Sequence, residues 1–174
     1  MRRLVHAAIA LGLLVPGLAS PSAAWADLGH LQPHYQLEGN RLVPPGPVLF
    51  EAGGAKLKPG SDAALRHVAG YLADKTYISL MRVEGHVDST ASAGQALSEQ
   101  RALTVARRLV TLGVDCKRLI AVGFGSSKPN APDTPAGRAA NLRIDFFNAA
   151  LRGKAIGGMP VDGGGKVAGD ACKP

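Results

Sequence analysis

The feature that most constrains this chain is a change of hydrophobic rhythm between residues 77 and 122. Residues 77–84 are rich in Ile, Leu, Met and Val, dense enough for a central strand. The run stops at Gly85-His86, turns at Asp88, and gives way to a helical pattern. Leu97, Val105, Ala106 and Leu109 share one face of that helix, which starts between residues 93 and 98, and Gly113 suits its C′ position. Residues 119–122 then read as another strand. Upstream, Ser61-Asp62 predicts the cap of a helix reaching about residue 74, with Leu65, Val68, Ala69 and Leu72 on one face. Residues 48–51 predict a first core strand. Residues 134–140 predict a short helix with Thr134 as N-cap and Pro135 at its first position, and residues 141–147 a final strand. Strands alternating with helices in this way imply a two-layer or three-layer α/β domain.

The flanks read differently. Arg2 and Arg3, an apolar run and the small residues of Ala24-Trp25-Ala26 give residues 1–26 the pattern of a cleaved signal peptide. The run is too short and too interrupted by Pro16 to favour a membrane anchor. No cysteine lies near the cleavage point, so no lipid anchor is expected. Residues 27–47 suggest a small hairpin across Gly39-Asn40, followed by Pro44, Pro45 and Pro47 as a helix-excluding entry. From residue 150 to 174 the chain is rich in glycine with little apolar content, which predicts a flexible tail. The domain itself is therefore expected over residues 48–149.

The chain has 20 Lys+Arg against 13 Asp+Glu, or 18 against 13 once Arg2 and Arg3 are removed. That surplus suits an acidic polymer or an ordinary soluble surface equally well. An exported chain without an aromatic-interleaved basic patch gives nucleic acid little support. Two cysteines in an exported chain predict one disulfide, Cys116–Cys172, tying the C-terminal tail to the turn after the second helix.

Chemistry-bearing residues cluster at the turn after the central strand. Ser89, Ser92 and Ser98 lie near His86 and Asp88, but all sit within one turn, and no nucleophile elbow is present. His86 and Asp88 lack the further ligands a catalytic zinc needs, so neither a metal nor any other cofactor is expected. Gly123-Phe-Gly125-Ser-Ser-Lys128 is followed by Pro129, which opposes the helix a phosphate loop requires. Asp88 and Arg101 remain. A strand end meeting a helix start offers free amides and the positive end of the helix dipole. An arginine at that end opposes the dipole, which an anion to be held would explain, and its planar fork suits a carboxylate. The pair fits a zwitterion. The bland alternative is a solvated ion pair worth about 0–1 kcal/mol.

Gly85-His86-Val87-Asp88 followed by Leu97-Ser98-Glu99-Gln100-Arg101-Ala102 resembles the GHTD…LSxxRA signature of the OmpA-like (OmpA/MotB/Pal) peptidoglycan-binding domain. Gly113-Val114, Arg118-Leu119, Gly123-Phe124-Gly125, Lys128-Pro129 and the block from Thr134 through Gly137-Arg138 and Asn141 to Arg143 continue the match in order. The resemblance implies a two-layer β-α-β-α-β domain with a mixed sheet, a short extra helix before the last strand and flexible termini. It implies non-catalytic, non-covalent binding of the diaminopimelate of the peptidoglycan stem peptide, in the periplasm, by a module with no cofactor. Asp88 would pair with the ligand's ammonium and Arg101 with its carboxylate, assisted by Thr90 and backbone amides. Gly85, His86, Ser98, Thr134, Arg138, Asn141 and Arg143 would support the site or order its loops. The chain departs from the pattern at Val87, Leu142, Gly53 and Pro132, and its loop between Asp88 and Arg101 is shorter. Those departures motivate an alternative: a domain that keeps the fold, has lost the wall site and binds an envelope protein partner.

Overall fold

The computed structural model describes residues 34–88 and 94–173. The expected signal peptide, residues 27–33 and Thr90 lie outside them. Among the described residues seven strands form one sheet in the order β1-β2-β5-β3-β4-β7, with β6 paired to β5. The strands are β1 (Gln36–Glu38), β2 (Arg41–Val43), β3 (Ile78–His86), β4 (Leu119–Gly123), β5 (Arg143–Leu151), β6 (Lys154–Ala155) and β7 (Lys166–Gly169). Among the described residues only β3 and β4 run parallel and every other pairing is antiparallel, so the sheet is mixed.

Helices α1 (Asp62–Asp74) and α2 (Gly94–Thr111) cover one face of the sheet. Leu65, Val68 and Leu72 of α1 and Val105, Ala106 and Leu109 of α2 bury against Met81, Val83, Ala121 and Phe146. Each large apolar side chain removed from water here contributes about 1.5–3 kcal/mol before ordering costs. Arg108 clamps the helices to each other, giving both Asp62 carboxylate oxygens bonds of 3.0 Å from Nη2. Arg118 donates to the carbonyls of Leu72, Lys75 and Ile78, satisfying the C-terminal end of α1. The short α3 (Pro135–Asn141) begins as its sequence predicts, with Thr134 Oγ1 accepting from the Gly137 N–H.

Three expectations change. Residues 48–51 make no sheet strand; Phe50 only bridges Leu57, and β2 takes the place beside β5. The backbone of Leu49 is satisfied off the sheet, by the hydroxyl of Ser61, which donates to its carbonyl and accepts from its N–H. That hydroxyl is therefore not the helix cap, and a 3-10 turn over Pro59–Ser61 leads into α1 instead. The C-terminal segment, expected to have nothing to pack, is part of the fold. β7 pairs with β4, Ala171 is buried, and Cys116 and Cys172 form a disulfide with Cα atoms 5.1 Å apart. Backbone pairing and a covalent tie hold a segment whose side chains carry little apolar signal. Closing that loop contributes about 4 kcal/mol in the chain-entropy model.

Candidate functional site

The parallel pair β3 and β4 ends with Gly85 opposite Gly123, and both glycines face α2. A Cβ on Gly85 would lie 2.1 Å from the Ser98 carbonyl oxygen, and one on Gly123 2.5 Å from Glu99 Cγ. Only glycine allows the helix this close. Ser98 is fully buried; its hydroxyl donates to Gln95 O at 2.7 Å and accepts from the Gly125 N–H at 2.9 Å. The first turns of α2 are thus tied to the loop leaving β4. That loop in turn holds the end of β3, with the Val87 N–H bonded to Gly125 O and the Phe124 N–H to Gly85 O, both at 3.0 Å. These bonds fix the backbone that leads to Asp88, half-buried just past the end of β3.

Arg101 is buried on the side of α2 that meets the 49–58 loop. Its Nε donates to Gly54 O at 2.9 Å, and its guanidinium lies 4.8 Å from the Phe50 ring centroid. Together these fix the plane of the guanidinium. The loop is closed by Glu51 N–H to Lys56 O and Lys58 N–H to Leu49 O, each 2.9 Å. Burial pushes the Arg101 guanidinium below its ordinary value, while the negative charge of Asp88 pulls it back up. It remains a cation at neutral pH, as arginine does in proteins. Beside it opens a cleft of about 460 Å³, lined by residues 48–53, Arg101, Ala139 and Leu142. Asp88 acts on Arg101 through its charge and is not among the residues that line this cleft. Among the described residues no group of three or more His, Cys, Asp or Glu side chains is arranged for a metal, and no helix is long and apolar enough to cross a membrane.

The other sequence-predicted residues separate into two sets. Asn141 orders the loop before α3: Oδ1 accepts from the N–H groups of Asn130 and Ala131, and Nδ2 donates to Ala131 O. Arg138 Nη1 donates to Asp133 Oδ1 at 3.1 Å. Thr134 caps α3, and Gly85 and Ser98 set the approach of α2. His86 and Arg143 instead line a different cavity, on the sheet face turned away from the helices. Two contributors escaped the sequence reading, the Phe50 ring and the Gly54 carbonyl that hold Arg101. The Gly53-Gly54 pair marks a loop but carries no signal that a carbonyl there accepts from an arginine.

Residues 49–143 match the model of the OmpA family. The chain is 37% identical over 112 residues to the probable lipoprotein YiaD of Escherichia coli, covering 62% of this chain and 50% of that protein. It is 39% identical over 104 residues to the peptidoglycan-binding protein ArfA of Mycobacterium tuberculosis, covering 58% of this chain and 32% of ArfA. The chain thus spans half or less of these relatives' length. Among solved structures, the peptidoglycan-associated lipoprotein of Burkholderia pseudomallei superposes with a TM-score of 0.52 at 29% identity, over 57% of this chain and 86% of that one. With the family match covering more than half of its length and the strand-turn-helix geometry in place, the chain belongs to the OmpA family.

Proposed function

We propose that this chain is a non-catalytic envelope module that binds peptidoglycan non-covalently in the periplasm. Asp88 takes the ammonium and Arg101 the carboxylate of the diaminopimelate in the stem peptide. Thr90 and the amides at the start of α2 assist, and Arg138 and Asn141 hold the neighbouring loop. The observation that carries this reading is Arg101: a buried guanidinium, held in plane by Gly54 and Phe50, under the charge of Asp88 and lining an open 460 Å³ cleft. The likeness to a protein named for peptidoglycan binding supports it from outside.

A second reading is favoured by the same contacts seen differently. Arg101 closes the 49–58 loop through Gly54 and Phe50, and Gly53 stands where the family pattern has a hydrogen-bonding asparagine. On that reading the domain keeps its fold and recognises a protein of the envelope. Co-sedimentation with purified diaminopimelate-type peptidoglycan separates the two. Wild-type protein should pellet with the wall, and Asp88→Ala and Arg101→Ala, each folded by circular dichroism, should stay in the supernatant. Equal behaviour of all three would remove the wall-binding reading from these residues.

A further inference from the structure

Strand alternation gives β3 a second face. Arg82, Glu84 and His86 point away from the helices, yet each is at most 3% exposed. The segment between β6 and β7 lies over them. Register places Glu84 directly opposite Asp145 and His86 opposite Arg143. Two carboxylates facing each other across strands repel. Arg82 Nε pairs with Glu84, Arg143 Nε donates to Asp145 Oδ2 at 2.8 Å, and Arg41, itself shared with Glu38, donates to Asp145 Oδ1 at 3.1 Å. Burial pushes the Glu84 carboxyl up, but His86, Arg82 and Lys128 outweigh it and hold it below the usual range. Both carboxylates are therefore neutralised by neighbours.

The donors are not all used. His86 Nδ1 and Arg143 Nη1 have no hydrogen-bond partner in the protein, and both atoms are buried. His86 Nε2 lies 3.3 Å from Glu84 and 3.5 Å from Asp145, turned to both carboxylates, and helps to hold the Glu84 carboxyl down. An arginine N–H can only donate, so Arg143 Nη1 calls for an acceptor from outside.

The covering segment is fixed in place by the same cluster. Arg82 Nη1 donates to Pro160 O at 3.0 Å and Val161 O at 3.3 Å. Gly163, at φ +60°, presses its backbone on that guanidinium; a Cβ there would lie 2.8 Å from Arg82 Cζ. Lys128 Nζ donates to Gly163 O at 3.1 Å and sits 3.7 Å over the Phe124 ring. Asp162 turns to the Gly164 N–H. Between segment and sheet remains a cavity of about 470 Å³, with Phe147, Met159 and Pro160 as its apolar wall. That volume lies within the range of small-molecule sites, about 300–1,000 Å³. No lining residue is shared with the Arg101 cleft. Among the lining side chains Arg82, Lys128 and Arg143 face Glu84 and Asp145, three cations to two carboxylates.

We propose that this cavity is a second ligand site, taking a compact monoanion that carries a small apolar group, a short monocarboxylate. Its oxygens accept from Arg143 Nη1, its charge answers Lys128, and its apolar part lies on Phe147 and Met159. The test titrates the full chain with propionate, and in parallel with inorganic phosphate, at neutral pH and ionic strength held constant with chloride. The signals read by NMR are the His86 imidazole and the Met159 methyl. Propionate should shift both to saturation and bind more tightly than phosphate. Arg143→Gln should weaken propionate by about tenfold or more, the loss of a charge-assisted bond. Lys128→Gln, at an exposed position and checked for folding by circular dichroism, should weaken it by about threefold through loss of one charge. Arg101→Ala should leave propionate binding unchanged, which separates this site from wall binding. Shifts that never saturate, or wild-type affinity in both Arg143→Gln and Lys128→Gln, would leave a hydrated ion cluster and overturn the site. Tighter binding of phosphate than of propionate would overturn the carboxylate assignment.

Discussion

The two faces of this sheet are closed by opposite means. The front lies under two amphipathic helices, with Met81, Val83, Ala121 and Phe146 as an apolar floor and Ser98 as its polar fastening at one end. The rear carries Arg82, Glu84, His86 and Asp145 beneath a segment of glycines and prolines. Apolar burial is non-directional and contributes in proportion to area. Buried ion pairs contribute little net, because desolvation offsets attraction, yet losing one partner strands the other charge. The front therefore makes the fold, and the rear makes it brittle.

That contrast can be broken most directly at Glu84. Glu84→Ala leaves Arg82 buried without its carboxylate and should cost about 3–5 kcal/mol in urea unfolding. A loss below that of an ordinary surface substitution would show the rear cluster to be effectively solvated. Its pH dependence sharpens the point. Glu84 titrates below its unfolded-state value, so its contribution is fully present above that value and is lost as pH falls through the folded one. Glu84→Gln should flatten the acid limb of the stability profile.

Cys172→Ser comes next. It should lower stability by about 4 kcal/mol through the freed unfolded chain, and amide exchange should rise in β7 before it rises in α2. Equal exchange in both would show the C-terminal segment and the front face to unfold as one unit.

On the front, Gly85→Ala forces a methyl into the Ser98 carbonyl and should cost about 1–3 kcal/mol as α2 is displaced. Its effect should reach Arg101 and reduce wall binding, whereas rear-face changes that leave the protein folded should not. The smallest effect is expected at Tyr35, whose hydroxyl donates to Asp74 at 2.7 Å and ties the N-terminal hairpin to α1. Tyr35→Phe should cost about 0.5–1.5 kcal/mol. Burial first, then Asp74, pushes the Tyr35 phenol up to about 12 from 10.0. Its contribution is present below the unfolded value and is lost as pH rises through the folded one, so the phenylalanine variant should lack that alkaline decline.

The front was largely readable from sequence because its signals are local. Leu65, Val68 and Leu72, or Val105, Ala106 and Leu109, recur at helical spacing. That Asp88 comes close enough to act on Arg101 was readable for the same reason, since strand end and helix start are adjacent in the chain. The rear was not. The segment after residue 150 buries Arg82 through carbonyls of Pro160 and Val161, and a carbonyl acceptor leaves no trace in side-chain pattern. Residues 48–51 misled in the other direction: their apolar run reads as a strand, while three prolines and the Ser61 hydroxyl take the backbone off the sheet. The sheet face reached by His86 follows from period-2 alternation counted from Met81 and Val83, and that of Arg143 from Ile144 and Phe146, a signal present in the sequence but outweighed by motif position.

The central claim rests on two charges matching two charges. Lysine-type stem peptides keep the side-chain amine of diaminopimelate but lack its neighbouring carboxylate, so they offer nothing to Arg101. Isothermal titration of the full chain with soluble muropeptides of each type is the direct measurement. The account predicts saturable binding of the diaminopimelate form, at least about tenfold weaker binding of the lysine form, and loss of that preference in Arg101→Ala. Equal affinity for the two forms, or a preference that survives without Arg101, would contradict it.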